Sequence, residues 1–230
     1  HSFPTRRSSD LAYGMADNWV TQAAVPDESI AVRTRDVAAV HVTLRFQGVA
    51  LGQGLATVAD PGAHLAIAEP IDITPLVQRA TRAALDEARK TLVALAAKPA
   101  DSPLPARLEE LAELLQVEMQ LAGAPRLMKI EGLRQVPARI VIGLDGMALR
   151  QGQRWGWMMP GTVIAANVNL SEQMTRMLRA IGLGPESMGK IGAEDGPRVY
   201  RFGVVHLVGK AAGRSPIALY RGQRLMPPSP

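Results

Sequence analysis

The chain contains no cysteine. That excludes disulfides, thiolate nucleophiles and cysteine-ligated zinc outright. Aromatic residues make up only 4% of its 230 positions, so the core must be built mainly from Leu, Val, Ile, Ala and Met. No apolar run approaches the ~18 residues that a membrane-spanning helix needs. No stretch of Lys or Arg is longer than two, no internal repeat is visible, and no glycine-flanked serine elbow occurs. What is present is the composition of a folded domain. Hydrophobic residues are 47% and charged residues 20%, enough for a packed core in one large domain or two small lobes. The net charge of +5 raises the question of an anionic partner. The even spread of basic residues along the chain favours solvated charge over a nucleic-acid footprint.

The opening string HSFPTRRSSDL, residues 1–11, resembles the conceptual translation of a sequencing adapter. It is therefore set aside from fold reasoning as foreign sequence. Without Arg6, Arg7 and Asp10 the net charge falls from +5 to +4. The native start is then expected to be missing, along with any signal peptide or first helix it carried.

Residues 12–36 show no clear period and read as an irregular N-terminal segment. From Val37 to Phe46, Val40, Val42, Leu44 and Phe46 alternate with His41, Thr43 and Arg45, the pattern of a half-buried strand. Gln47-Gly48 reads as a turn, and Val49 to Val58 as the returning strand. Gly52 and Gly54 inside it mark a bulge or a close approach by something else. Thr74-Pro75 reads as an N-cap and first helical position. Val77, Ala80, Ala84, Ala88, Leu92 and Leu95 give that helix its apolar stripe. Three prolines make 98–105 a linker. A short helix with Leu108, Leu111 and Leu115 follows, then a strand in which Val117, Met119 and Leu121 alternate with Glu118 and Gln120.

Ile140 to Leu144 is an apolar run ending at Asp145-Gly146, and Met147 to Met159 reads as a β-hairpin turning at 151–153. Asn169 with Glu172 makes a capping box for a helix bearing Met174, Met177, Leu178 and Ile181, which Gly182 ends. Val199 to Val208 reads as the last long strand, and 209–230 as a tail that covers the surface or frays. Few strands are separated by a single crossover helix. The expected fold class is therefore α+β: a mostly antiparallel sheet with flanking helices.

Chemistry is harder to read. His41 and His206 fall in strands and His64 in a loop, and no pair has metal-ligand spacing, so no metal site is expected. Ser171 is explained by helix initiation, and Ser187 and Ser215 lack a nucleophile's context. Asp145 reads as a turn residue, and neither Glu118 nor Glu131 is paired by the sequence with a second carboxylate. Gly52-Gln53-Gly54 lacks a full phosphate-loop pattern but fits close backbone approach. Arg150, Arg154, Trp155 and Trp157 share one hairpin. This reads either as a stacking and charge platform for nucleic acid or as two tryptophans packed on one sheet face, and packing is the favoured reading.

Several of these segments together resemble the AMMECR-type domain family. Gly143-Leu144-Asp145-Gly146 through Leu149-Arg150-Gln151-Gly152-Gln153-Arg154 to Met159-Pro160 looks like its "DG … RRG.R … LP" hairpin. Leu178 to Leu183 followed by Pro185 is similar to its "AGLP" helix end. Arg198-Val199-Tyr200-Arg201-Phe202 is similar to "LYRF", Val42-Thr43-Leu44 to "FVTL", and Pro103 to Glu118 to the segment leading to its "EVS" strand. The shared order spans about residues 38–208, which sets the domain at 37–208.

The resemblance implies an antiparallel sheet with helices in two unequal lobes. It also implies, from the family's association with Memo-like proteins and radical SAM enzymes, a place in small-molecule or modification chemistry. One departure stands out: where the family carries "LRGCIG", this chain has Leu51-Gly52-Gln53-Gly54-Leu55-Ala56, without Arg or Cys. Any family activity that needs that thiol is closed to it.

The resulting expectation is a cytoplasmic, soluble, non-thiol AMMECR-like domain that binds an unidentified small molecule or protein partner in a cleft between lobes. Gly52, Gln53, Gly54, Arg150 and Arg154 are the candidate ligand contacts, and no cofactor is expected. The alternatives are a nucleic-acid-binding module using the Arg/Trp hairpin, or an enzyme working without a thiol.

Overall fold

The structure is a computed structural model that describes residues 6–61, 69–97, 107–141, 143–162, 169–209 and, for the backbone alone, 217–221. The proline-rich linker at 98–105, His64 and Ser215 lie outside these residues.

The sheet expected from the alternating segments is two sheets. One has five strands in the order β11-β10-β5-β2-β3, all antiparallel. These are β2 (Ala39–Phe46), β3 (Val49–Thr57), β5 (Gln116–Ala122), β10 (Val204–Val208) and β11 (Ile217–Arg221). The other has four, in the order β6-β9-β7-β8: β6 (Arg126–Leu127), β7 (Gly146–Gln151), β8 (Arg154–Met158) and β9 (Arg198–Phe202). A two-residue pairing of β1 (Arg33–Thr34) with β4 (Ile71–Asp72) stands apart. The α+β class expected from the sequence is what is found.

Helix α1 (Arg6–Thr21) and helix α2 (Thr74–Ala96) cover one face of the larger sheet. Val40, Val42, Leu44, Val117, Met119, Leu121, Val205 and Leu207 point into that core. α2 contributes the stripe read from sequence: Val77, Ala80, Ala84, Ala88 and Leu92 are buried. Its start differs from the expected Thr74 cap. Asp72 accepts from the Thr74 backbone N–H at 2.9 Å. The Thr74 hydroxyl instead accepts from Val32 N–H at 2.9 Å, pinning the segment that leads to β1.

The reading of 12–36 as irregular is corrected by α1, whose last ten residues fall there; residues 6–11, read above as adapter, supply its first turns. Its stripe is Ala12, Tyr13, Ala16, Trp19 and Val20, with Ser8 and Ser9 also buried. Small and polar-tipped residues carry the helical period, so a scan for large aliphatics passes over it. The expected short helix near 108–115 is two 3₁₀ turns, Leu108–Glu110 and Ala112–Leu114, with Leu108, Leu111 and Leu115 buried as anticipated.

The smaller sheet packs on α3 (Leu170–Ala180), where Met174, Met177, Leu178 and Ile181 meet Met147, Leu149, Met158 and Val199. Asn169 caps α3, its side-chain oxygen accepting from Glu172 N–H at 2.9 Å. Gly182 ends it in the left-handed region, φ +80°, while Leu183 N–H reaches Leu178 C=O at 2.9 Å, a Schellman closure.

The strand read as continuous over 199–208 breaks at Gly203. β9 belongs to the smaller sheet and β10 to the larger. The chain also leaves β5 for β6 beside this point, and Gly123 N–H donates to Gly203 C=O at 2.9 Å, tying the two crossings together. Part of the expected tail, Ile217–Arg221, adds the outer strand β11 to β10.

Candidate functional site

Alternation on the larger sheet gives it a second face, turned away from α1 and α2. It carries Ala39, His41, Thr43 and Arg45 from β2, Gln53 from β3, Glu118, Gln120 and Ala122 from β5, and Val204 and His206 from β10. The register fixes their neighbours: His41 and His206 each lie opposite Gln120, while Thr43 lies opposite both Glu118 and Gln53. The row Ala39, Ala122 and Val204 packs against Ala148, Met159 and Phe202 of the smaller lobe. The next row along is polar, and it is buried: His41 is 6% exposed, Gln120 1%, His206 6%, Glu118 6% and Thr43 2%. It therefore lies beside the junction between the two sheets.

Glu118 is the hub. Arg45 Nε donates to its Oε2 at 2.8 Å, and His206 Nε2 lies 2.7 Å from its Oε1. Gln120 Nε2 donates to the same Oε1 at 3.3 Å, and Gly161 N–H donates to Gln120 Oε1 at 3.1 Å. A Cβ at 161 would stand 2.6 Å from Glu118 Oε1, so glycine is what lets the segment after β8 lie on this cluster. Burial alone would raise the Glu118 pKa. The hydrogen bond and charge of His206, with the Arg45 guanidinium, outweigh it and bring the carboxyl to about 2.

His41 has the opposite fate. Desolvation takes it down to about 4, against the pull of Glu118 and of the Gln53 side chain. It is a neutral imidazole at pH 7. Its Nδ1 is buried with no hydrogen-bond partner among the described residues. Gln53 is itself exposed, so the polar row reaches solvent along β3.

The residues singled out from sequence divide accordingly. Gln53 lies on the polar face. Gly52 and Gly54 turn to the other face, where a Cβ at Gly52 would meet the backbone of Ala84 and Ala88 and one at Gly54 the backbone of Ala80 and Ala84. The close approach they permit is that of helix α2. Arg150 and Arg154 sit at the tip of the β7–β8 hairpin. Arg150 is four residues along β7 from Gly146, roughly 13 Å. Arg150 Nε donates to Gly152 C=O at 2.8 Å with its guanidinium 5.2 Å from the Trp155 ring centre, and Arg154 Nη1 donates to Ile181 C=O at 3.3 Å. Trp155 and Trp157 do share a face, packing on Tyr200 at 4.9 Å and Phe202 at 5.0 Å.

His41, Glu118 and His206 are the residues sequence reasoning passed over as a set. Their alternation marked a polar face, but nothing in one strand tells that the segment after β8 lies on it. Among the described residues no group of His, Asp and Glu is arranged to hold a metal ion, and no helix is long and apolar enough to cross a membrane.

Taken together, the chain is an α+β domain of two antiparallel sheets with a buried polar cluster beside their junction. No family model matches it. It is 27% identical over 148 residues to Protein MJ0810 of Methanocaldococcus jannaschii, across 64% of this chain and 67% of that protein. Its fold is similar to that of PH0010, an uncharacterised protein from Pyrococcus horikoshii, with a TM-score of 0.55 at 21% identity, covering 93% of this chain and 97% of that one. These likenesses speak to the fold.

Proposed function

We propose that this chain is a divergent AMMECR-type domain that binds a small polar molecule on the buried polar face beside the junction of its two sheets. The observation that carries this reading is the His41 imidazole: buried, neutral, and with one ring nitrogen unpartnered beside a fully engaged Glu118–Arg45–His206 cluster. An unpaired buried polar atom costs on the order of 1–3 kcal/mol. A site that keeps one gains by having a ligand complete it. The ligand would hydrogen-bond His41 Nδ1, with exposed Gln53 at the rim and Arg45 and Glu118 fixing polarity. Gly52 and Gly54 serve indirectly, by letting α2 hold β3 in place. Arg150 and Arg154 stand outside this contact set.

The test is chemical analysis of material that co-purifies with the full chain. A stoichiometric small molecule carried by the wild type and lost in His41→Leu supports the reading. The same yield from both proteins, or nothing bound in either, removes it.

A further inference from the structure

The basic residues are spread along the sequence, but the fold does not leave them evenly matched. In the larger lobe Arg45, Arg82 and Arg89 each meet a carboxylate. At the open end of the smaller sheet, beside β6, a cavity of about 440 Å³ is bordered by Lys129, Arg139 and Arg198. Glu131 is the one carboxylate among the residues around it. None of the three cations forms an ion pair among the described residues. Leu127 and Val199 add apolar surface to its lining.

A second observation is independent of the cavity. The strand register sets Arg126 opposite Arg201 and Arg150 opposite Arg198. Like charges directly opposed across strands destabilise a sheet. Arg198 belongs to one of these pairs and to the cavity wall. Arg201 reaches the wall by donating to Arg139 C=O at 3.1 Å. Arg198 is held by donating to Glu194 C=O at 3.2 Å, which limits its freedom before any ligand arrives.

We infer that this cavity is a second binding site, which takes a phosphate group on a molecule with an apolar body. Three unpaired cations in so small a space call for an anion with more than one charge and several acceptor oxygens. The volume suits a small molecule. The phosphate could come from a phosphorylated metabolite or from the backbone of a nucleic acid. The inference is independent of the polar face beside the junction of the sheets.

The test is calorimetric titration of the full chain with inorganic pyrophosphate and, separately, with a single-stranded oligonucleotide at low and high salt. Pyrophosphate is expected to bind, with about tenfold weaker affinity in each of Lys129→Ala and Arg139→Ala. Glu131→Gln is expected to tighten it, a gain that misfolding cannot imitate. Oligonucleotide binding that is lost in the same variants and falls steeply with salt would assign the phosphate to nucleic acid. No binding of either probe at low salt, or binding indifferent to all three substitutions, overturns the inference.

Discussion

Burial disfavours a charged imidazole, and His41 illustrates the consequence for stability. Desolvation lowers its pKa from 6.5 to about 4. Above pH 6.5 it is neutral whether the chain is folded or not. Between 6.5 and 4 the unfolded chain takes up a proton that the folded one refuses, so stability falls as pH falls. Glu118, lowered from 4.5 to about 2, acts in the next window down: the unfolded carboxylate protonates first and stability falls again from 4.5 towards 2. Each contributes about 3 kcal/mol. Denaturant midpoints measured from pH 8 to 3 should show both declines, and His41→Gln should abolish the upper one while keeping the lower. A second prediction at this scale concerns the β2–β3 turn, where Gln47 sits at φ 50° and Gly48 at φ 84°. A non-glycine residue pays for the left-handed region, so Gln47→Gly should raise stability by about 0.5–1 kcal/mol in thermal unfolding.

At the scale of elements, the packing of α2 on β3 decides two outcomes. Gly54→Ala drives a methyl into the helix backbone at Ala80 and should cost about 1–3 kcal/mol in chemical denaturation. The outer edge of β3 is also closed by that helix: Glu87 accepts from Gln53 N–H at 2.6 Å and Arg79 donates to Thr57 C=O at 3.1 Å. Removing Glu87 should quicken hydrogen exchange at Gln53 and promote edge-to-edge association at high concentration, visible in light scattering. Elements whose signals are local were legible in the sequence: the Gln47-Gly48 turn, the α2 stripe, the Asn169 cap and the Gly182 stop each rest on a few neighbouring residues. α1 was not, because Ala12, Tyr13 and Ala16 do not look like a stripe until a core is there to receive them. Nor was the break at Gly203, because β9 and β10 are equally strand-like and only tertiary contacts send them to different sheets.

At the scale of the whole molecule, two sheets joined by adjacent crossings at Gly123 and Gly203 meet beside a polar face that each strand alone presents as solvent-facing, and Gly161 of the segment after β8 lies on it. This is why the sequence left His41, Glu118 and His206 unconnected: their meeting is a property of strand register. The glycines beside Gln53 were read correctly as a place of close approach, but which element approached was set by the fold. On the reading proposed here, that polar cluster is maintained for a ligand. The most direct measurement is a long-range ¹H–¹⁵N spectrum of the imidazoles, recorded on the protein as purified and again after its small-molecule content has been dialysed away under mild denaturation and the chain refolded. If the cluster holds a ligand, the His41 Nδ1 resonance moves on removal and returns when the dialysed material is restored. A His41 signal identical in all three states would contradict it.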